Sequence, residues 1–333
     1  MGMKIIRPGL LTSIQDLGRQ GVQKYGVIVS GAMDPFALRI ANLLVGNEEG
    51  QAALEITLMG PSIEIEEDTL IAITGANLSP TINGVSVPLW RPIYIKQGST
   101  LQFGTPVSGC RAYLAVAGGF DTPDVLGSKA TYLRAGIGGF QGRALKNGDA
   151  LTHSTLSKQA IERTKLLSER IGDDPFVTTD WCVSHSILPA YKRNPVLRVI
   201  PGCEFHEFAP ESREHFYASR FQVTPQSDRM GYRLQGPTLA LAQPLELISE
   251  AVSTGTIQVP PEGNPIVLLA DRQTIGGYPR IGQIATVDLP VIAQVKPGES
   301  IQFLEISLEE AQQQYLLRER DILQLKQGMT LIG

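Results

Sequence analysis

The sequence lacks the features that mark membrane, secreted and nucleic-acid-binding proteins. Apolar residues make up 42% of the chain, but no run reaches the ~18 residues of a membrane-spanning helix. Three cysteines are too few for a disulfide framework, which favours a reducing, cytoplasmic location. The net charge is −4 and no basic stripe is visible, so nucleic acid is not an expected partner. The opening MGMKIIRPG has no apolar core of a signal peptide, so none is expected.

Several common catalytic motifs are also absent. There is no GxxxxGK[ST] loop, so the chain alone is not expected to bind ATP in the P-loop manner. No GxSxG nucleophile elbow and no lysine in a biotin-acceptor setting such as AMKM are present. The glycine-rich segment 136–142 departs from the dinucleotide fingerprint, because Gln141 stands where the third glycine belongs. We therefore expect no cofactor to be bound by this chain alone.

Short apolar stretches between turn residues dominate what is present. The segments 63–76, 88–104 and 111–119 have the pattern of strands, and 34 glycines and 22 prolines exceed the usual share. The predicted helices are few: about Pro35–Val45 behind the N-cap Asp34, about Ser157–Ile171, and a helix that begins at the capping box Ser307–Glu310.

An internal repeat organises the chain. Four features recur in order at offsets that grow from 193 to 200 residues: Pro8-Gly9 with Pro201-Gly202, Asp34 and Arg39 with Asp228 and Arg233, Glu55 and Gly60 with Glu250 and Gly255, and Lys96–Phe103 with Lys296–Phe303. Ordered matches of this kind indicate two copies of one unit. We predict that Lys96–Phe103 and Lys296–Phe303 lie on equivalent strands.

The predicted fold is therefore mainly β with a few helices, in two tandem β-barrel domains related by internal duplication. The predicted boundaries are 1–155 for the first barrel, 156–174 for a helical connection, and 175–333 for the second barrel with its C-terminal helix.

The segment Glu250–Tyr278 carries the candidate site. Two short strands, TIQV and PIVLLA, have polar side chains at their ends, and a double glycine follows. Strand ends beside flexible backbone commonly build small-molecule sites. The candidate catalytic residues are Glu250, Asp271, Arg272 and Thr274. The candidate substrate-binding residues are Asp228, Arg229, Arg233, Thr254, Thr256, Gln258, Gly276, Gly277 and Tyr278. We expect them to converge on one concave surface.

The two Asp-x4-Arg pairs of the repeat have alternative interpretations. Asp34 precedes Pro35 at a helix start, so a capping role is favoured over a functional one. Asp228, Arg229 and Arg233 could form a buried ion-pair network or a carboxylate-binding clamp, and the sequence leaves both open.

Two Cys-x-x-His pairs, Cys182 with His185 and Cys203 with His206, could supply zinc ligands. In the repeat, Cys203 follows Pro201-Gly202 as Leu10 follows Pro8-Gly9. This favours a core position for Cys203, and no metal site is predicted.

Long motifs along the chain match a known family. They are RPGLLTSIQDLGRQG (7–21), SGAMDPFALRIANLLVGN (30–47), ALEITLMGP (53–61), the glycine-rich segment 115–149 and SDRMGYRLQG (227–236). In these motifs the chain resembles the family of the 5-oxoprolinase C subunit, also called KipA. This is the allophanate hydrolase subunit 2 and urea amidolyase-related family, often described as biotin-dependent carboxyltransferases.

The resemblance implies two cyclophilin-like barrels and an enzyme that works as a complex. The implied partners are KipI, which is the 5-oxoprolinase B subunit, and an A subunit of the lactam-utilisation type. The complex uses ATP to open the lactam of 5-oxo-L-proline to L-glutamate, and the single chain is not expected to be active alone.

In that reaction Thr254, Thr256, Thr274 and the Gly276-Gly277 backbone would stabilise an oxyanion. Arg229, Arg233 or Arg272 would hold an anion, and Asp271 or Glu250 would act as the base.

Two other functions fit the same family resemblance. One is the carboxyltransferase component of a urea carboxylase-type enzyme, which would bring in biotin. The other is a regulatory binding protein that antagonises KipI, an inhibitor of a sporulation kinase. The sequence does not choose between them, because one scaffold can serve several chemistries.

Overall fold

The computed structural model describes residues 2–332 and contains two compact units, each built from more than one stretch of chain. The first unit comprises the N-terminal residues up to Arg19, Asp34–Leu188, and the chain from Arg320 onward. The second comprises Gln20–Met33 and Pro189–Glu319. The domain boundaries expected from the sequence stay a prediction.

Two six-stranded sheets form the first unit. One has the order β11-β1-β4-β9-β6-β7, with β1 (Met3–Arg7), β4 (Ser62–Ile65), β6 (Thr81–Ile82), β7 (Val85–Ser86), β9 (Thr100–Gln102) and β11 (Ala150–Leu151). The other has the order β12-β8-β5-β10-β3-β2, with β2 (Leu11–Gln15), β3 (Ala53–Thr57), β5 (Thr69–Asn77), β8 (Pro92–Ile95), β10 (Ser108–Val116) and β12 (Phe176–Thr178). Adjacent strands pair antiparallel throughout both sheets.

The first core is rich in isoleucine and leucine because alternate residues of these strands point inward. Helix α1 (Pro35–Leu44) begins as predicted, since Asp34 Oδ1 accepts a 2.9 Å hydrogen bond from the Ala37 N–H. Helix α2 (Lys158–Ser168) has the N-cap Ser157, whose hydroxyl accepts from the Ala160 N–H at 3.0 Å.

The second unit is a closed seven-stranded barrel. Its order is β13-β20-β17-β18-β15-β14-β21, with β13 (Val196–Pro201), β14 (Arg220–Val223), β15 (Gly231–Gln235), β17 (Thr256–Gln258), β18 (Ile266–Leu268), β20 (Arg280–Ile284) and β21 (Ser300–Glu305). A separate two-stranded ribbon pairs β16 (Glu250–Ala251) with β19 (Ile275–Gly276). Valines, isoleucines and phenylalanines fill the barrel interior.

Three further helices complete the chain: α3 (Pro210–Ala218), α4 (Leu289–Ile292) and α5 (Leu308–Ile332). Neither α3 nor α4 was predicted from the sequence. The capping box at the start of α5 is confirmed, because the Glu310 N–H donates to Ser307 Oγ and the Ser307 N–H donates to Glu310 Oε2, both at 3.1 Å. Within residues 2–332, no helix is both long and apolar enough to cross a membrane.

The repeat corresponds to a shared turn. The Gly98 N–H donates to the Ile65 carbonyl and the Gly298 N–H to the Val223 carbonyl, each at 2.8 Å. Both glycines have positive φ, and each turn leads into a strand that pairs antiparallel with β4 or β14.

The surroundings of the two turns differ. Strand β8 precedes the first turn and helix α4 precedes the second. Strand β9 has only antiparallel neighbours, whereas β21 also pairs in parallel with β13. The prediction of a mainly β protein with a few helices is confirmed. The second unit is a barrel closed by hydrogen bonds, while the strands of the first unit form two sheets.

Candidate functional site

The candidate segment lies on the barrel of the second unit. Strands β17 and β18 are the predicted TIQV and PIVLLA strands and pair antiparallel, with Ile257 opposite Val267. The PPEGN turn joins them, and Gly263 takes the positive φ of +79° that this turn requires. The ribbon β16–β19 places Glu250 opposite Gly276. The chain thus brings both ends of the segment together outside the barrel wall.

Asp271 is held in a buried ion pair. Arg229 Nε donates to Asp271 Oδ2 at 2.9 Å, and Arg229 Nη2 donates to Oδ1 at 3.0 Å. The Ser30 hydroxyl donates a third hydrogen bond to Oδ1 at 2.7 Å. All three residues are buried, so the pair is shielded from solvent. Of the two alternatives for Arg229, the structure gives the buried ion pair, and the carboxylate in it is Asp271.

Arg272, the next residue in the chain, has a different environment. Its Nε donates to the Val252 carbonyl at 3.1 Å and its Nη1 donates to Thr254 Oγ1 at 2.7 Å. The side chain is half-buried, and burial lowers the pKa of the guanidinium. No carboxylate among residues 2–332 pairs with it. Arg272 is therefore a fixed, partly desolvated cation without a counter-charge in the described chain.

The hydroxyls before β17 bind to one another and to Gln283. Thr256 Oγ1 donates to Gln283 Oε1 at 2.9 Å, and Ser253 Oγ donates to the same oxygen at 3.0 Å. Gln283 Nε2 in turn donates to the Thr254 carbonyl at 2.8 Å. This network fixes the backbone at Thr254, whose hydroxyl accepts from Arg272.

The double glycine adjoins Gln258. A Cβ at Gly276 would lie 2.6 Å from Gln258 Nε2, so Gln258 would have to move to admit a side chain there. Gln258 is buried, and its Nε2 donates to the Tyr278 carbonyl at 3.2 Å. A Cβ at Gly277 would meet Ser249 Oγ first, at 3.1 Å. Glycine at position 276 therefore leaves the Gln258 amide in its observed position.

Glu250 lies at the exposed edge of this region. Its Oε2 is 2.9 Å from Arg280 Nη2, and its side chain is 64% exposed. Arg280 also binds Glu204 in a two-pronged contact, from Nε at 2.8 Å and from Nη2 at 2.6 Å. Hydrogen bonding from Arg280 lowers the pKa of Glu204. Of the two candidate bases, Glu250 is thus solvent-accessible and Asp271 is enclosed.

Arg233 and Tyr278 line an open surface groove of about 780 Å³. Its other lining groups come from β15 and the chain after it, from the PPEGN turn and the start of β18, and from the chain after β14. Among them are Gln226, Gln235, Thr238, Glu262 and Asn264. Asp228 is not part of that lining, since its Oδ1 accepts from the Met230 N–H at 2.8 Å and stabilises the turn before β15.

The predicted residues therefore form several direct contacts, and whether all of them face one concave surface stays a prediction. Asp271 contacts Arg229, Arg272 contacts Thr254, and Gln258 contacts Tyr278. Thr274 joins through its carbonyl, which accepts from the Val252 N–H at 3.2 Å.

Four further residues belong to this region and were not among the predicted ones: Ser30, Glu204, Arg280 and Gln283. Of these four, only Ser30 could have been identified from the sequence as a functional candidate, because it opens the 30–47 family motif.

A second buried polar cluster lies in the first unit. The Tyr113 hydroxyl donates to Glu55 Oε2 at 2.7 Å and accepts from the Asp34 N–H at 2.8 Å. Burial and the two nearby carboxylates raise the pKa of Tyr113 well above its usual range. Asp34 therefore caps α1, as favoured from the sequence, and also takes part in this cluster.

The expectation that Cys203 fills a core position is wrong. Cys203 is exposed, and so is its repeat counterpart Leu10, because both follow a strand end at the surface. Cys182 is also exposed. Among residues 2–332, no group of three or more potential metal ligands is arranged around a common point.

Comparison with known proteins identifies the family. The carboxyltransferase domain, subdomain A and B, matches residues 25–305. The chain belongs to the carboxyltransferase domain family. It is 41% identical over 309 residues to the 5-oxoprolinase C subunit of Escherichia coli, which covers 93% of both chains. It is 38% identical to the 5-oxoprolinase C subunit of Haemophilus influenzae, over 90% of this chain and 89% of that protein.

This carboxyltransferase-family chain also resembles part of a larger enzyme. It is 36% identical to urea amidolyase of Saccharomyces cerevisiae over 92% of its own length, but over only 17% of that protein. The crystal structure of the Kluyveromyces lactis urea amidolyase has a TM-score of 0.86 at 31% identity, covering 97% of this chain and 20% of that one. The chain thus matches the two 5-oxoprolinase C subunits nearly end to end and corresponds to a fifth or less of these urea amidolyases.

Proposed function

We propose that this chain is the C subunit of an ATP-dependent 5-oxoprolinase complex that opens 5-oxo-L-proline to L-glutamate. The observation that carries the proposal is the nearly end-to-end match to two 5-oxoprolinase C subunits. Its expected partners are a B subunit of the KipI type and an A subunit of the lactam-utilisation type. The chain is a component of a hydrolase and is inactive alone.

The chemistry requires water to add to the lactam carbonyl carbon, after which the C–N bond breaks and the nitrogen takes up a proton. The tetrahedral intermediate carries an oxyanion that needs fixed hydrogen-bond donors. The hydroxyl of Thr274 and the N–H of Gly277 have no hydrogen-bond partner among residues 2–332, so both are available as donors. The hydroxyls of Thr254 and Thr256 are already engaged, with Arg272 and Gln283.

The contacts also separate the two candidate bases. Both Asp271 oxygens accept hydrogen bonds, from Arg229 and Ser30, so taking a proton would break a buried ion pair. Glu250 is exposed and keeps one oxygen clear of its ion pair with Arg280. We assign Glu250 as the base and Asp271 as a positioning residue.

The test is reconstitution from the three purified subunits, with glutamate and ADP measured together. We expect turnover only when all three subunits and ATP are present. Glu250→Gln should lower kcat by about 10²- to 10⁴-fold, the usual contribution of general base catalysis. Glutamate formation by the single chain would contradict the assignment as a subunit that is inactive alone. An unchanged kcat in Glu250→Gln would contradict the assignment of Glu250 as the base.

The second candidate is the carboxyltransferase component of a biotin-dependent, urea carboxylase-type enzyme. The match to the carboxyltransferase domain and the similarity to urea amidolyase favour it. The same reconstitution decides, because that function requires a biotin carrier and bicarbonate, and a 5-oxoprolinase requires neither.

A further inference from the structure

Three arginines of the candidate region differ in how their charge is balanced. Arg229 is neutralised by Asp271, and Arg280 by Glu204 and Glu250. Arg272 has only a carbonyl and a hydroxyl as partners. A desolvated cation is costly unless an opposite charge compensates it. Arg272 therefore differs from these two neighbours in having no anionic partner among residues 2–332.

The geometry leaves part of the Arg272 guanidinium open for that anion. Nε and Nη1 are committed to Val252 and Thr254, and these two contacts hold the plane of the group in place. Nη2 donates no hydrogen bond to any described residue of the chain. The side chain is half-buried, so a ligand can reach it while water is partly excluded, which strengthens an ionic contact.

The other arginines do not offer the same site. Arg229 uses Nε and Nη2 on Asp271, and Nη2 also donates to the Gly31 carbonyl at 2.6 Å. Arg233 is exposed, so water already solvates its charge and no buried cost demands a partner.

We propose that Arg272 binds the carboxylate of the substrate and so makes the site selective for an anionic lactam over a neutral amide such as urea. The proposal depends on the proposed function, since 5-oxo-L-proline carries a carboxylate on the carbon atom bonded to its ring nitrogen. A carboxylate suits the site better than a phosphate, because a single guanidinium matches one carboxylate, whereas phosphate sites add backbone N–H groups and further cations.

The kinetic test uses the reconstituted three-subunit complex with 5-oxo-L-proline and its neutral amide, 5-oxoprolinamide. Arg272→Met keeps an unbranched apolar side chain about as long as the arginine stem and removes the guanidinium with its charge. We expect KM for 5-oxo-L-proline to rise roughly 10- to 100-fold, as for loss of a charge-assisted hydrogen bond. KM for the amide should change less than about threefold, so the preference for the anion collapses. Arg272→Lys should restore part of it, because the charge is kept and the planar fork is lost.

The matched control is Arg220→Met, which removes an exposed arginine from β14 of the same unit and should leave both KM values unchanged. An equal loss with both substrates in Arg272→Met would overturn the proposal, as would a retained preference for the anion.

A binding test on the isolated chain separates this proposal from the proposed function. The melting temperature is measured with 5-oxo-L-proline, acetate, bicarbonate or inorganic phosphate, against sodium chloride at equal ionic strength. We expect carboxylates to stabilise the wild type and not Arg272→Met. Stronger stabilisation by phosphate, or equal stabilisation of both proteins, would overturn the carboxylate site. Carboxylate binding through Arg272 without lactam turnover by the complex would instead refute the proposed function alone.

Discussion

The hydroxyl of Ser30 donates a 2.7 Å hydrogen bond to the carboxylate of Asp271, a residue 241 positions further along the chain. Ser30 has a positive φ of 59°, which is unfavourable for a residue other than glycine. Gly31 follows with φ 85° and its carbonyl accepts from Arg229. The segment therefore adopts a strained conformation that places two groups on the Asp271–Arg229 pair. Because Arg272 follows Asp271 directly, this contact fixes the start of the candidate anion site.

Ser30→Ala should lower the free energy of unfolding by about 1.5–3 kcal/mol, since it removes a hydrogen bond to a buried charged acceptor. Arg229→Met should cost more, about 3–5 kcal/mol, because it leaves the Asp271 carboxylate without its counter-charge. Urea denaturation of the two single variants and the double variant gives the coupling energy. Additive effects would show that Ser30 and Arg229 do not share Asp271 as a partner.

Tyr113→Phe should destabilise the first unit by about 1–3 kcal/mol, because Glu55 and the Asp34 N–H each lose a buried hydrogen-bond partner. Tyr94→Phe is the matched comparison. Burial and Asp68 raise the pKa of Tyr94 to about 12, but Asp68 is exposed and can bind water instead. Chemical denaturation should therefore show a smaller loss for Tyr94→Phe. Equal losses would mean that burial of the carboxylate does not set the cost.

The Glu204–Arg280 pair predicts a pH dependence of stability. Hydrogen bonding from Arg280 lowers the folded-state pKa of Glu204 below its ordinary value of 4.5. The contribution is therefore fully present above the unfolded pKa and is lost as the pH falls through the folded pKa. Thermal melting of the wild type and Glu204→Gln should differ most near neutral pH, and the difference should shrink between about pH 5 and pH 3. Glu207→Gln, an exposed control nearby, should follow the wild type at every pH.

Gly276→Ala should impair the complex without unfolding the chain. The new methyl group would stand 2.6 Å from Gln258 Nε2 and displace a buried side chain that binds the Tyr278 carbonyl. We expect a small fall in melting temperature and at least a tenfold loss of turnover, as positional errors of about 1 Å can cost 10²-fold. Unchanged turnover would separate the Gly276–Gln258 contact from catalysis.

Gly328→Ala is the control for Gly276→Ala, because it adds the same methyl group where no clash is expected. Gly328 lies within α5, and a Cβ there would meet no atom within 4 Å. Alanine should therefore stabilise the protein by up to about 1 kcal/mol, because glycine loses more backbone freedom in a helix. A lower melting temperature would show that the end of α5 is not helical in solution.

The sequence by itself determined the features that depend on neighbouring residues. Asp34 and Pro35 define the start of α1, and Ser307 and Glu310 define the start of α5. The PPEGN turn defines the β17–β18 hairpin. Caps and turns are set by hydrogen bonds within a few residues, so their spacing is visible in the chain. The long motifs were also sufficient to place the chain in its family, because each is a continuous stretch of sequence.

The tertiary structure decided which charges meet. Nothing in the sequence pairs Ser30 or Arg229 with Asp271, or Glu204 with Arg280, because strand order brings these distant segments together. Strand order also decides which elements the two Lys-x-Gly turns join, since β8 precedes the first turn and α4 the second. Arg272 and Arg229 have equal charge and lie in similar polar segments. Only their packing shows that Arg229 is neutralised by a carboxylate of the chain, whereas Arg272 has no carboxylate partner among residues 2–332.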